Sequence, residues 1–65
     1  MKIVAYTPQG IFNGSETEYT EEGYKDACSF LEKLPSLEYL ALGTDRGKIY
    51  ITKGMIDKSL FVIEK

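Results

Sequence analysis

Two apolar runs separated by a glycine-flanked turn constrain this chain more than any other feature. Residues 37–42 read Leu-Glu-Tyr-Leu-Ala-Leu, residues 43–47 read Gly-Thr-Asp-Arg-Gly, and residues 48–53 read Lys-Ile-Tyr-Ile-Thr-Lys. Strand formers on both sides of a glycine-containing turn predict a β-hairpin. A two-residue turn at Asp45-Arg46 pairs Thr44 with Gly47, whereas a four-residue loop over Thr44 to Gly47 pairs Gly43 with Lys48. Both give one register. Leu42 then opposes Ile49, Ala41 opposes Tyr50, Leu40 opposes Ile51, Tyr39 opposes Thr52 and Glu38 opposes Lys53. Opposite charges in the last pair favour this register. A one-residue slip would mix the two faces.

The register sorts the hairpin side chains. One face carries Leu40, Leu42, Ile49 and Ile51, and the other carries Leu37, Tyr39, Ala41, Tyr50 and Thr52. The aliphatic face is the expected core beneath a helix, because it has no polar atoms to satisfy. Tyrosine combines an apolar ring with a hydroxyl that can meet water, so the second face is the expected surface.

The rest of the chain supplies one helix and two further strands. Residues Lys2 to Thr7 read as a strand ended by Pro8, and Ser59 to Glu64 as a last strand. Between Gln9 and Tyr19, Asn13-Gly14 is a candidate turn for a short extra hairpin with Ile11 and Phe12 on one arm; a structured loop is the alternative. Thr20 is the expected N-cap, with Glu21 and Glu22 in the first turn. Tyr24, Ala27, Cys28, Leu31 and Leu34 then form an apolar stripe at helical spacing, widened by Phe30 and ended by Pro35. Gly23 is an apparent weak point, costing about 1 kcal/mol relative to alanine. Gly54 to Lys58 has room for a loop or one helical turn. These elements predict a single small α+β domain over residues 1–65. Its order is β-α-β-β-β, with a mostly antiparallel sheet of about four strands and one helix packed on one face. Ile3 and Ala5 alternate with Val4 and Tyr6, and Leu60 and Val62 with Phe61 and Ile63, so the outer strands are apolar on both sides. One helix covers only one side. Exposed apolar surface of this kind marks an interaction site.

A domain of 65 residues is marginal alone and commonly needs a staple. The single cysteine forms no intrachain disulfide, and without histidine the chain lacks zinc-ligand spacing. Self-association is the staple that remains. The net charge of −2 argues against a broad electrostatic grip on nucleic acid. Residues 1–32 carry two lysines against six acidic groups, net −4, and residues 33–65 carry six basic against four acidic groups, net +2. A solvated acidic helix start beside a mildly basic sheet accounts for that asymmetry. Met1 leads directly into a strand-like run without an apolar export segment, and no stretch approaches the ~20 apolar residues of a membrane span. A cytoplasmic location is the expectation.

No catalytic constellation emerges. Cys28 lies on the apolar helix stripe, no histidine can activate it or a serine, and a buried structural thiol is the expected role. Glu16, Glu18, Glu21 and Glu22 lack calcium-loop spacing, and Gly43 to Gly47 lies between strands, unlike a phosphate loop. The sequence therefore predicts a non-enzymatic protein-interaction module without cofactor or metal. Its expected partner is a second copy, as a dimer, or another protein. The expected contact is a sheet face bearing Tyr39, Tyr50, Leu37, Thr52, Tyr6 and Phe61, or an edge strand. A short chain of this kind fits a bacterial or phage accessory protein. The alternative is a single-stranded nucleic-acid binder that stacks bases on Tyr39 and Tyr50, with Lys48 and Lys53 nearby.

Overall fold

The computed structural model describes all 65 residues, and the hairpin has the register derived above. Strand β3 (Tyr39–Thr44) pairs antiparallel with β4 (Gly47–Thr52), from Thr44 opposite Gly47 to Tyr39 opposite Thr52. Leu40, Leu42 and Ile51 are buried and Ile49 half-buried, so the aliphatic face is the core face. The amide of Lys53 donates to the Glu38 carbonyl at 3.0 Å, extending the pairing by one residue. The Lys53 side chain does not meet Glu38, however. Its ammonium donates to the Pro35 carbonyl at 2.7 Å instead, and an exposed ion pair is worth too little to hold it elsewhere.

A second hairpin stands where the sequence suggested one strand and an uncertain arm. Strand β1 (Lys2–Thr7) turns through Pro8-Gln9 into β2 (Gly10–Asn13), with Thr7 opposite Gly10. Pro8 does end β1, but as part of the turn, so Ile11 and Phe12 pair backward with β1 rather than forward across Asn13-Gly14. The two hairpins close alike. Thr7 and Thr44 each donate a hydroxyl to the carbonyl of the glycine three residues on, at 2.9 and 2.7 Å. Each hydroxyl also accepts the amide two residues on, from Gln9 and Arg46. No residue other than glycine has positive φ, so neither turn has the left-handed central residues that match strand twist. Gly10 and Gly47 absorb the mismatch at φ values of 137° and 123°. A methyl group at Gly47 would meet nothing within 4 Å, so its cost is purely conformational. Gly47→Ala is expected to lower stability by about 1–3 kcal/mol. Gly43→Ala, in open space with ordinary φ, should change urea-unfolding midpoints little by comparison.

The architecture is α+β, but its strands do not form one four-stranded sheet. β5 (Leu60–Glu64) pairs antiparallel with β1, giving a three-stranded sheet ordered β2-β1-β5 beside the two-stranded β3-β4. A narrow seam links the two. After β2, the Gly14 amide donates to the Ile3 carbonyl at 2.7 Å, and the Ser15 amide to the Gly43 carbonyl at 2.9 Å. One main-chain bond across the seam joins β3 to the chain leaving β2, which is too little to make a continuous ladder. The observed order is therefore β-β-α-β-β-α-β.

Helix α1 (Glu21–Glu32) begins where the capping pattern places it. Thr20 is extended, and its hydroxyl accepts the Gly23 amide at 2.9 Å. A Cβ on Gly23 would lie 2.9 Å from that same hydroxyl. Glycine there leaves room for the cap, so the propensity cost has a local reason. Pro35 stops the α-helix, and the chain tightens into a 3-10 turn at Leu34–Ser36. No α1 residue is fully buried; Leu31 packs on the core, whereas Phe30 stays 39% exposed. A single helical turn, α2 (Lys53–Ile56), fills the connection before β5 and buries Ile56. Ala5, Leu34, Leu40, Leu42, Ile51 and Ile56 form the core, with Ile3, Phe12, Leu31, Leu37, Ile49, Met55 and Phe61 packed around it. No helix is long and apolar enough to cross a membrane.

Candidate interaction surface

Tyr39 and Tyr50 meet because of the register. Tyr39 opposes Thr52 and Tyr50 opposes Ala41, which makes the tyrosines diagonal neighbours on one face. Their ring centroids lie 6.1 Å apart with planes inclined at 40°, within the range of favourable aromatic pairs. The pair is nevertheless open to solvent, Tyr39 at 59% and Tyr50 at 66%. Ala41, Lys48 and Thr52 on the same face are exposed too. Beside Tyr39 and Ala41 lies a shallow groove of about 510 Å³ that Leu37, Leu40 and Phe30 of α1 also line. Phe30 thus extends the tyrosine surface, although helical spacing alone places it at the margin of the buried stripe.

The six residues expected to share a surface are divided among three places. Tyr39, Tyr50 and Thr52 lie together on the outer face of the hairpin. Leu37 precedes β3 and turns inward, half-buried against the core. Phe61 pairs with Ala5, which is fully buried, and so faces the core as well. Tyr6 lies on the face of the other sheet opposite to that of Ala5. That face is closed at Val4, 1% exposed, and open only at the end where the register sets Tyr6 between Ile11 of β2 and Leu60 of β5. That row is also open, with Ile11 at 61%, Tyr6 at 39% and Leu60 at 65% exposed. Sequence reasoning did not single out Ile11 or Leu60. The signal was the two-sided apolar alternation of the outer strands, which marks a greasy second face without saying which set it contains.

The edges of the hairpin differ. β3 is tied at Gly43 to Ser15. β4 has β3 as its only strand neighbour. In an antiparallel pair closed by a two-residue turn, the pairs that exchange hydrogen bonds alternate. The Lys53-to-Glu38 bond fixes the phase, so the main-chain groups of Lys48, Tyr50 and Thr52 point away from β3. Thr52 is also the N-cap of α2, and its carbonyl takes the first helical amide there; both groups of Lys48 and Tyr50 and the Thr52 amide have no turn or side-chain partner.

Little charge chemistry accompanies this surface. No three His, Cys, Asp or Glu side chains gather as a metal site would require. The displaced carboxyl is Glu16, far along the chain from the hairpin. A hydrogen bond from the Met1 amino group, and then that group's charge, hold Glu16 below the usual carboxylate range, with Lys2 adding slightly. Cys28 is half-buried. Near the end of β5, the Lys65 ammonium lies 4.6 Å from the Tyr24 ring centre and 5.7 Å from that of Tyr19, so these tyrosines hold a cation of the chain itself. No family model matches the chain, and no curated protein or solved structure matches it either.

Proposed function

We propose that this chain is a non-enzymatic protein-interaction module that associates with a second copy of itself through the β3–β4 hairpin. The observation carrying this reading is the exposed Tyr39–Tyr50 pair beside an edge strand with unused main-chain groups. Overall exposure points the same way. The chain shows 4654 Å² to solvent, against about 4,200 Å² for a folded monomer of its mass. A surface of this kind gains most by being covered.

Sedimentation velocity across the micromolar range tests the proposal, with a dimer as the expected result. Tyr50→Glu should shift the protein to monomer while leaving the far-ultraviolet circular dichroism intact, since that side chain is two-thirds exposed. Leu60→Glu, on the other outer face, should leave the dimer unchanged. A wild-type monomer throughout that range refutes the proposal, and loss of the dimer only in Leu60→Glu moves the contact to the Ile11–Tyr6–Leu60 row. A net charge of −2 supplies no broad basic surface for a phosphate backbone, which favours a protein partner over single-stranded nucleic acid.

A further inference from the structure

We infer that two copies join edge to edge, β4 against β4 in antiparallel register centred on Tyr50, making one four-stranded sheet across a two-fold axis. This inference rests on the self-association proposed above and specifies its geometry. The outward main-chain groups belong to Lys48, Tyr50 and Thr52. Antiparallel pairing of this strand with itself can be centred on Ile49, Tyr50 or Ile51. Only the Tyr50 centre engages all three outward residues, setting Tyr50 opposite Tyr50 and Lys48 opposite Thr52 on both sides. The Tyr50 pair exchanges two main-chain hydrogen bonds, and each flanking pair adds one from the Thr52 amide to the Lys48 carbonyl, because the Thr52 carbonyl already serves α2. The other centres leave one of the three residues unused.

Charge and side-chain placement agree with that register. Lys48 faces a threonine, and the two Lys48 side chains sit four residues, about 14 Å, apart along the strand. That exceeds the ~8 Å screening length of physiological salt. A Tyr39–Tyr50 pair from each copy then makes a continuous tyrosine row on the outer face. On the inner face, half-buried Ile49 comes opposite Ile51 of the second copy. The edge carries few of the features that block such pairing. β4 has no proline and no inward charge, and its ladder to β3 runs without a bulge.

Thr52→Pro is a clean probe. Thr52 has φ −76°, inside the range proline imposes, and its amide makes no bond to β3. Folding should be preserved, and dimer dissociation measured by sedimentation equilibrium should rise roughly thirtyfold, as two main-chain bonds per dimer are lost. The register is tested separately in a Cys28→Ser background. Tyr50→Cys should form an intermolecular disulfide readily under mild oxidation, and Lys48→Cys should not. In the wild type, the Lys48, Tyr50 and Thr52 amides should gain hydrogen-exchange protection as concentration rises. If the protein dimerises yet Thr52→Pro has unchanged affinity and those amides stay unprotected, edge pairing is wrong and contact through the tyrosine face survives. Should the wild type be monomeric, both fall. Efficient crosslinking through Lys48→Cys instead overturns the Tyr50-centred register.

Discussion

Leu40→Ala is expected to remove a large share of this protein's folding stability. Leu40 is 3% exposed, lies on the inner face opposite buried Ile51, and belongs to a core of only six buried residues. Truncating a buried leucine costs about 2–5 kcal/mol. A chain of 65 residues has a total stability of roughly 3–10 kcal/mol at ordinary values per residue. The loss therefore takes a large share of the whole. Each kcal/mol lowers the melting temperature of a domain this small by about 4–8 °C, so a fall of tens of degrees by circular dichroism is the expected readout. Leu60→Ala is the matched control. It removes the same atoms from a side chain 65% exposed, and its effect should stay within about 0.5 kcal/mol. Equal effects from the two substitutions would mean that the inner face of the hairpin is not the core.

Gly14→Ala is expected to be nearly as damaging, for a different reason. A Cβ at this buried glycine would sit 2.7 Å from the Ile3 carbonyl oxygen, the same oxygen that accepts the Gly14 amide, and 3.4 Å from a methyl of Leu42. The obstruction is backbone, so a side-chain rotation cannot relieve it. The next residue carries the Ser15-to-Gly43 bond across the seam. Making room for one methyl group therefore disturbs both sheets where they meet. A loss of about 3 kcal/mol in urea unfolding, at the upper end of ordinary overpacking, is the expected result, with faster exchange of the Ser15 amide. Stability within error of the wild type would show that the chain leaves β2 with more room than this close approach allows.

How far the sequence could be read depends on whether the deciding interaction is local. The β3–β4 register was legible residue by residue, because a short turn and a two-residue alternation determine it together. The Thr20 cap and the apolar stripe of α1 were legible for the same reason. What pairs with β1 depends on contacts far along the chain. Leu60 and Val62 are as apolar as Phe61 and Ile63, so β5 gives no inward set until Ala5 is placed opposite Phe61. Tyr6 and Phe61 could not be told apart as surface and core on that basis. The β1–β2 hairpin carried a local signal after all. Thr7 and Gly10 have the spacing of Thr44 and Gly47, and Pro8 stands at a turn position that proline favours as well as at a strand end. As for the candidate surface, the Tyr39–Tyr50 pair follows from the hairpin, whereas the exposure of Phe30, Ile11 and Leu60 depends on how the helix and the second sheet settle.

The pairing of β1 with β5 also bears on the order in which the molecule can assemble. Each hairpin closes over a two-residue turn and can form early, at little entropic cost. β1 is different, because the partner on its second side is about sixty residues away. On a ribosome, that side of β1 stays vacant until the last strand has left the exit tunnel. Once β4 has been made, the nascent chain carries an open edge on β1 beside the edges of β2 and β4 that the finished fold also leaves without a strand neighbour. Only the first can be closed by the chain itself. The β1 edge therefore stays open to any competing strand until residues 60–64 arrive to close it.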